Sequence, residues 1–385
     1  MRTAIVHDWF VVPGGAEQCL VRIHELFPGD IFTLVAHQPT LEELGLPQDR
    51  VHASFLQGVP FVKKWYRSFL PLFPLAVEQF DVSDYDLVIS SSHAVAKGVL
   101  VHPDQVHICY CYTPMRYAWD LHAQYLRESK LDRGVSGRIA QAILHYLRMW
   151  DRVSADRVDH FIAISKFVAA RIGKVYRRDA TVIYPPVDTD SFPMEADKED
   201  YYVAVSRMVP YKRMDLIVRA FSSLPHRRLV VVGDGPDFEK VKKEAGSNVT
   251  LLGHASKQEV VRVMQKARAL IFCAMEDFGM VPVEAMACGT PVIAYRGGGV
   301  LETVVEGETG FFFDRQDEES IVEAIHRLEN TKDGPSPEAC RRRAVLFHPE
   351  RFRREFTCFV DRAIGNSDMR ATSPATFPPG LNTNP

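Results

Sequence analysis

Ala269-Leu-Ile-Phe-Cys-Ala-Met-Glu276-Asp-Phe-Gly-Met-Val-Pro-Val-Glu284-Ala-Met-Ala-Cys-Gly289-Thr-Pro-Val-Ile-Ala294 reads as strand, turn, short helix and strand. Ala269 to Cys273 is a short apolar run. A helix is predicted to begin near Gly279, because Pro282 suits a first turn that needs no proline N–H and Gly289 suits the residue past the end. Two strands joined through a helix are parallel, and the same alternation runs along the chain. In the first half the runs are Thr3 to Val6, Ile31 to Val35, Asp86 to Ser90, Val106 to Cys111 and His160 to Ile164. In the second they are Tyr202 to Val205, Arg228 to Val232, Val249 to Leu252, Ala269 to Cys273, Pro291 to Ala294 and Phe311 to Phe313. At 385 residues the chain is long enough for two α/β units, given roughly 100 to 200 residues per domain.

The units are placed at residues 1–180 and 198–348, with a linker over 181–197 in which Pro185, Pro186 and Pro193 exclude a helix. An aromatic-bearing helix is expected at 349–364, followed by a Pro-, Ser- and Thr-rich flexible tail at 365–385. A formal net charge of −3 gives no global field for nucleic acid. Seven cysteines without paired spacing suggest a reduced, cytoplasmic protein. The opening MRTAIVHDWF reaches His7 and Asp8 before an apolar core of leader length can form, so secretion is not expected, and Ser68 to Val77 is too short to span a bilayer.

In an open parallel sheet, ligands bind beyond the carboxyl ends of the strands. Glu276 falls at such an end and Glu284 in the helix after it, so both carboxylates are expected at one crevice, where they can accept hydrogen bonds from sugar hydroxyls. The backbone N–H groups of Phe278, Gly279 and Met280 offer an anion site at the helix start. Acids also suit first helical turns for dipole reasons, so the pair alone leaves both readings open. Arg207 and Lys212 follow another strand end, as cations that could balance a diphosphate leaving group. Gly14 and Gly15 follow the first strand, and His93 follows Ser91 and Ser92 at a third strand end.

These features together resemble the retaining nucleotide-sugar glycosyltransferases of family four. Glu276 and Glu284 match that family's E-x7-E motif, and Ser206 to Arg213, Gly233 to Pro236, Leu252 to His254 and Gly297 to Glu302 follow its other signatures in order. The resemblance implies a GT-B fold, with two Rossmann-like α/β/α domains facing across a cleft and the last helix returning to the first. It also implies donor binding by Gly14, Gly15, Arg207, Lys212, Glu276, Phe278, Gly279, Met280 and Glu284, and catalytic roles for Glu276, His93, Arg207 and Lys212. Tyr112 to Asp120 looks like a loop of bacterial O-antigen and exopolysaccharide mannosyltransferases, which puts Tyr112, Arg116, Tyr117 and Trp119 on the acceptor side.

GDP-mannose is the favoured donor on this resemblance, although Gly253 to Lys257, the segment expected near the base, offers no acid for guanine. UDP-sugar transferases, nucleotide-sugar 2-epimerases and sugar phosphorylases of the same architecture are the alternatives. NAD is disfavoured because Phe238 stands where a dinucleotide fingerprint needs its third glycine. No metal motif appears, so no cofactor is expected. Residues 51–77 carry Lys63, Lys64 and Arg67 among aromatic residues and no acid, and Lys130 to Arg157 holds six basic residues against three aspartates. The expectation is a first domain resting on an anionic inner membrane face, with a polyprenyl-diphosphate-linked saccharide as acceptor.

Overall fold

A computed structural model describes residues 1–372 apart from Lys130 and Asp132. Two parallel sheets carry the fold. The first contains β1 (Thr3–His7), β2 (Asp30–Thr33), β3 (Val51–Ala53), β4 (Leu87–Ser92), β5 (Val106–Cys111), β6 (His160–Ala163) and β7 (Ala180–Val182), in the order β3-β2-β1-β4-β5-β6-β7. The second contains β8 (Tyr201–Val205), β9 (Arg228–Val232), β10 (Val249–Gly253), β11 (Ala269–Phe272), β12 (Val292–Tyr295) and β13 (Gly310–Phe313), in the order β10-β9-β8-β11-β12-β13. The central strands β1, β4, β5 and β11 are buried along their whole length. Helices cover both sheet faces, so these strands are apolar on both sides along much of their length, with Thr3, His7, His107 and Ser90 to Ser92 as buried polar exceptions.

Each order reverses once, between β1 and β4 in the first sheet and between β8 and β11 in the second. Two strands whose connections leave in opposite directions open a crevice at their carboxyl ends. His7 pairs in register with Ser91 on β4, so the loops carrying Asp8 and His93 leave the sheet side by side. Tyr202 pairs with Ala269, which brings the Arg207 and Glu276 loops together in the other sheet.

The expected linker begins with a strand: Ala180–Val182 pairs with β6 and closes the edge of the first sheet. The last helix runs over Pro349–Thr372 and crosses back to that sheet. Phe352 and Phe356 stack at 5.2 Å and meet the Tyr110 ring edge-on at 5.7 and 5.9 Å. The helix therefore occupies the start of the segment expected to be a flexible tail, and residues 373–385 lie outside the described residues. One buried cluster includes Ile5 and Ile108 of the first sheet with Val203 and Val292 of the second, so the two halves share core.

Candidate active site

At the first crevice Asp8 is fully buried. Its Oδ2 accepts from the backbone N–H groups of His93 and Ala94 at 2.7 and 2.9 Å, and its Oδ1 from those of Val95 and Ala96 at 2.7 and 2.8 Å. Burial would raise this carboxyl, but His93, His7 and the N–H donors hold it below its usual range. His93 Nδ1 lies 3.1 Å from Asp8 Oδ2, and its ring stands edge-on to Trp9 at 4.5 Å. With a proton on Nδ1, the ring turns its other nitrogen away from Asp8.

Gly14 caps the helix Gly15–Leu26, and Gly15 is its first residue. Any Cβ on Gly15 would stand 2.7 Å from the sulfur of Met280, the first residue of the helix Met280–Ala287. The amino ends of two helices, one from each sheet, therefore abut across the cleft. Their free N–H groups and aligned dipoles favour an anion there.

In the second sheet the Lys212 ammonium contacts the Glu276 carboxylate. Burial, with the Arg207 and Arg116 charges, pulls Lys212 down to about 7, and the nearby Asp277 carboxylate works the other way. The backbone of Glu276 is fixed by Gly297 to Gly299. Gly298 bridges to Glu276, and Gly299 N–H donates to its carbonyl at 2.8 Å. A Cβ on Gly298 would come within 2.2 Å of that oxygen, so the approach needs glycine.

Asp277 faces the opposite half of the molecule. Its carboxylate accepts from Arg171 at 2.6 Å and lies 3.5 Å from Arg116, while its carbonyl accepts from Ser165 Oγ at 2.6 Å. Arg116 also donates to the Met275 carbonyl at 3.2 Å. Glu302 accepts from the backbone N–H groups of Lys166 and Phe167, the start of the helix Lys166–Tyr176, at 2.7 and 2.9 Å. These bonds join the two sheets along one edge of the cleft.

Two cavities flank the Gly15–Met280 contact. The larger, about 660 Å³, is lined by Gly14, Gly15, His93, Tyr117, Arg207 and Tyr211, with Trp9, Tyr66 and Arg67 on its wall. The smaller, about 320 Å³, holds Glu284 and Met280 with Gln18, Arg22, Asp188 and Lys257. Burial raises the Glu284 carboxyl to about 7, with Lys257 opposing. Phe278 turns its side chain into the core and presents only backbone at the helix start.

Of the four residues expected on the acceptor side, only Tyr117 lines the larger cavity. Tyr112 is buried, with its hydroxyl donating to the Ala16 carbonyl at 2.8 Å. Trp119 donates from Nε1 to Asp151 at 2.7 Å, and Arg116 bridges to the other half. The likeness of this stretch to a mannosyltransferase loop does not say which of its side chains face the cleft and which pack inside the domain. Asp8, Arg171 and Asp188 were not singled out from the sequence. For Asp8 a signal existed, since it directly follows a strand end. Among the described residues no three His, Cys, Asp or Glu side chains gather as metal ligands, and no helix is long and apolar enough to cross a membrane.

The second half matches the family described as glycosyl transferases group 1 over residues 188–345, and the first half matches glycosyltransferase family 4 over residues 13–191. The chain belongs to this glycosyltransferase family, with the GT-B arrangement of two Rossmann-like domains. It is 30% identical over 197 residues to a GDP-mannose-dependent alpha-(1-6)-phosphatidylinositol monomannoside mannosyltransferase of Mycolicibacterium smegmatis, covering 43% of this chain and 51% of that protein. It is 29% identical over 202 residues to an O-antigen chain mannosyltransferase of Salmonella typhimurium, covering 50% and 57%. The chain spans about half the length of the curated relatives it matches. Among solved structures, Anabaena HepE in complex with UDP superposes with a TM-score of 0.69 at 18% identity, covering 94% of this chain and 100% of that one.

Proposed function

We propose that the protein is a retaining hexosyltransferase that moves mannose from GDP-mannose to a lipid-linked saccharide in bacterial surface-polysaccharide assembly. The observation that carries this reading is the meeting of two helix amino ends at Gly15 and Met280, with Arg207 and His93 lining the larger cavity, Glu284 in the smaller one, and Lys212 in contact with Glu276. A diphosphate seated at that contact puts its nucleoside beside Glu284 and its sugar beside Glu276 and His93. As the sugar–phosphate bond breaks, negative charge grows on the diphosphate. Arg207, Lys212 and the helix N–H groups are placed to stabilise that charge without a metal. Glu276 then holds sugar hydroxyls, and the acceptor attacks from the side of the leaving phosphate, which preserves the anomeric configuration.

The acceptor reading is supported by what surrounds the larger cavity. Tyr66 and Arg67 line it, and beside them Phe61 and Trp65 are 79% and 58% exposed. The helix Gly134–Ser154 packs near this segment through a cluster that includes Leu144, Leu147 and Leu70, and its outer side carries Val135, Ile139, Tyr146, Met149 and Val153. Spacings of three, four and seven put these on one stripe, beside Arg138 and Arg152. An apolar stripe with basic neighbours suits an anionic bilayer surface, where a polyprenyl acceptor resides.

A UDP-sugar donor is the second reading, favoured by the likeness to a structure determined with UDP. A thermal-shift panel of GDP, UDP, ADP and their sugars tests the proposal. Saturating GDP-mannose is expected to raise the midpoint most, since a ligand at 100 times its dissociation constant stabilises by about 2.7 kcal/mol. Stabilisation by UDP-sugars alone would move the assignment to the second reading, and no shift with any nucleotide would overturn both.

A further inference from the structure

The segment after β10 lacks an acid, yet the smaller cavity contains one. Asp188 enters it from the linker, with its Oδ2 3.7 Å from Lys257 Nζ. From the Gly15–Met280 contact the cavity runs along one helix past Gln18 to Arg22, and along the other to Glu284. Seven helical residues from Gly15 to Arg22 span about 10 Å, which is the reach needed from a diphosphate through a ribose to a base. Phe192, Val260 and Pro186 give this far end apolar walls. Asp188 and Lys257 keep 42% and 59% of their side-chain area exposed, so their charges are available to a ligand. Ser191 donates to Asp188 Oδ2 at 2.5 Å and steadies the carboxylate without exhausting its acceptor capacity.

We propose that Asp188 and Lys257 together read the base of the donor nucleotide and select guanine. This rests on the GDP-sugar reading above. Guanine presents along one edge an acceptor, O6, and then two donors, N1–H and the 2-amino group. An ammonium facing O6 and a carboxylate facing N1–H and the amino group complement that edge in order. Uracil puts a second carbonyl where guanine has its amino group, and that oxygen would face the carboxylate. The pair therefore combines attraction for one base with repulsion of the other. The acid comes from the linker rather than from the loop after β10, which is why that loop alone gave no sign of guanine.

Titration calorimetry with GDP, IDP and UDP separates the two levels of the claim, because IDP differs from GDP only by lacking the 2-amino group. Wild type is expected to bind GDP about tenfold or more tightly than IDP, the scale of one charge-assisted hydrogen bond. Asp188→Asn, which can still accept from Ser191, is expected to bring the GDP to IDP ratio within about threefold. Lys257→Ala is expected to weaken GDP and IDP alike and leave the ratio in place, since both bases carry O6. Equal binding of GDP and IDP by wild type, or a ratio that survives Asp188→Asn, overturns the role of Asp188 while leaving a GDP donor standing. Tighter binding of UDP than of GDP overturns the donor reading and this inference with it.

Discussion

Across the cleft the Arg171 guanidinium donates to the Asp277 carboxylate at 2.6 Å, and Asp277 is the residue that follows Glu276. Closure of the two halves and placement of the glutamate are thereby joined in one dipeptide. Burial pushes the Asp277 carboxyl above its ordinary value, with Arg116 and Arg171 opposing, so removal of a partner leaves a buried charge without compensation. Arg171→Ala is expected to open the cleft and lower kcat/KM by about tenfold to a hundredfold. Glu302→Gln, which removes the carboxylate from the start of the Lys166–Tyr176 helix, is expected to act in the same direction more weakly. Small-angle scattering of the ligand-free protein checks this: both variants should show a larger radius of gyration, and unchanged scattering with unchanged rates would remove the latch from the account.

Glu276 and Glu284 are expected to differ in what their loss damages. Glu276→Ala should reduce turnover with little change in GDP affinity, whereas Glu284→Ala should weaken GDP itself, each by about tenfold or more. Glu284 also carries a stability signature. Its folded value of about 7 stands above the unfolded 4.5, so the folded state resists its ionisation and stability is lost as pH rises between those values. Glu284→Gln should therefore melt higher than wild type at pH 8, by about a few degrees, and not at pH 4. A melting difference that does not depend on pH would contradict the burial of this carboxylate.

Lys212 has its folded value lowered to about 7, so it is charged below that pH and loses charge above it. A diphosphate restores the charge, and GDP binding at pH 7.5 should draw a fraction of a proton from the buffer. Calorimetry in buffers of different ionisation enthalpy reads this directly. Affinity should decline from pH 7 to 9, and Lys212→Ala should remove both effects, which separates them from the titration of Glu284. Arg207→Ala should lower kcat more than it weakens GDP, and EDTA should leave turnover intact. Proton uptake that persists in Lys212→Ala, or an absolute need for magnesium or manganese, would refute this part.

Much of the architecture could be read from composition and period, because β1, β4, β5 and β11 are buried on both faces and carry apolar runs of three or more residues such as Ala4 to Val6 and Leu87 to Ile89. The three-residue strands β3 and β7 could not. Both sit at the edges of the first sheet, and β3 is half-buried to exposed, so neither needs an apolar run. The candidate site was legible where chemistry follows a strand end, as at Glu276, Lys212 and His93. It was not legible where function depends on distant pairing. Arg116 and Asp277 are 161 residues apart, and nothing local distinguishes an arginine that meets an acceptor from one that closes a cleft. Tyr112 and Trp119 show the same limit: their polar tips are satisfied inside the domain, by Ala16 and Asp151.

The exposed stripe on the Gly134–Ser154 helix and the aromatic segment near Phe61 should bind vesicles that contain anionic lipid. Flotation is expected to fall with rising salt, and also with Lys63→Glu combined with Lys64→Glu or with Ile139→Glu combined with Val153→Glu. GDP affinity should be unchanged in these variants, since Lys63, Ile139 and Val153 are not among the residues that line the smaller cavity. Absence of flotation at low salt would leave a soluble acceptor as the better account.

The central claim is a retaining transfer at the Gly15–Met280 contact, and the most direct measurement is proton NMR of GDP-mannose turnover in the presence of EDTA and a polyprenyl lipid extract. The account predicts release of GDP with mannose first appearing in the α configuration, at a rate at least about tenfold lower in Glu276→Ala. Mannose appearing first in the β configuration, equal rates in Glu276→Ala, or no turnover of GDP-mannose by the wild-type protein would contradict it.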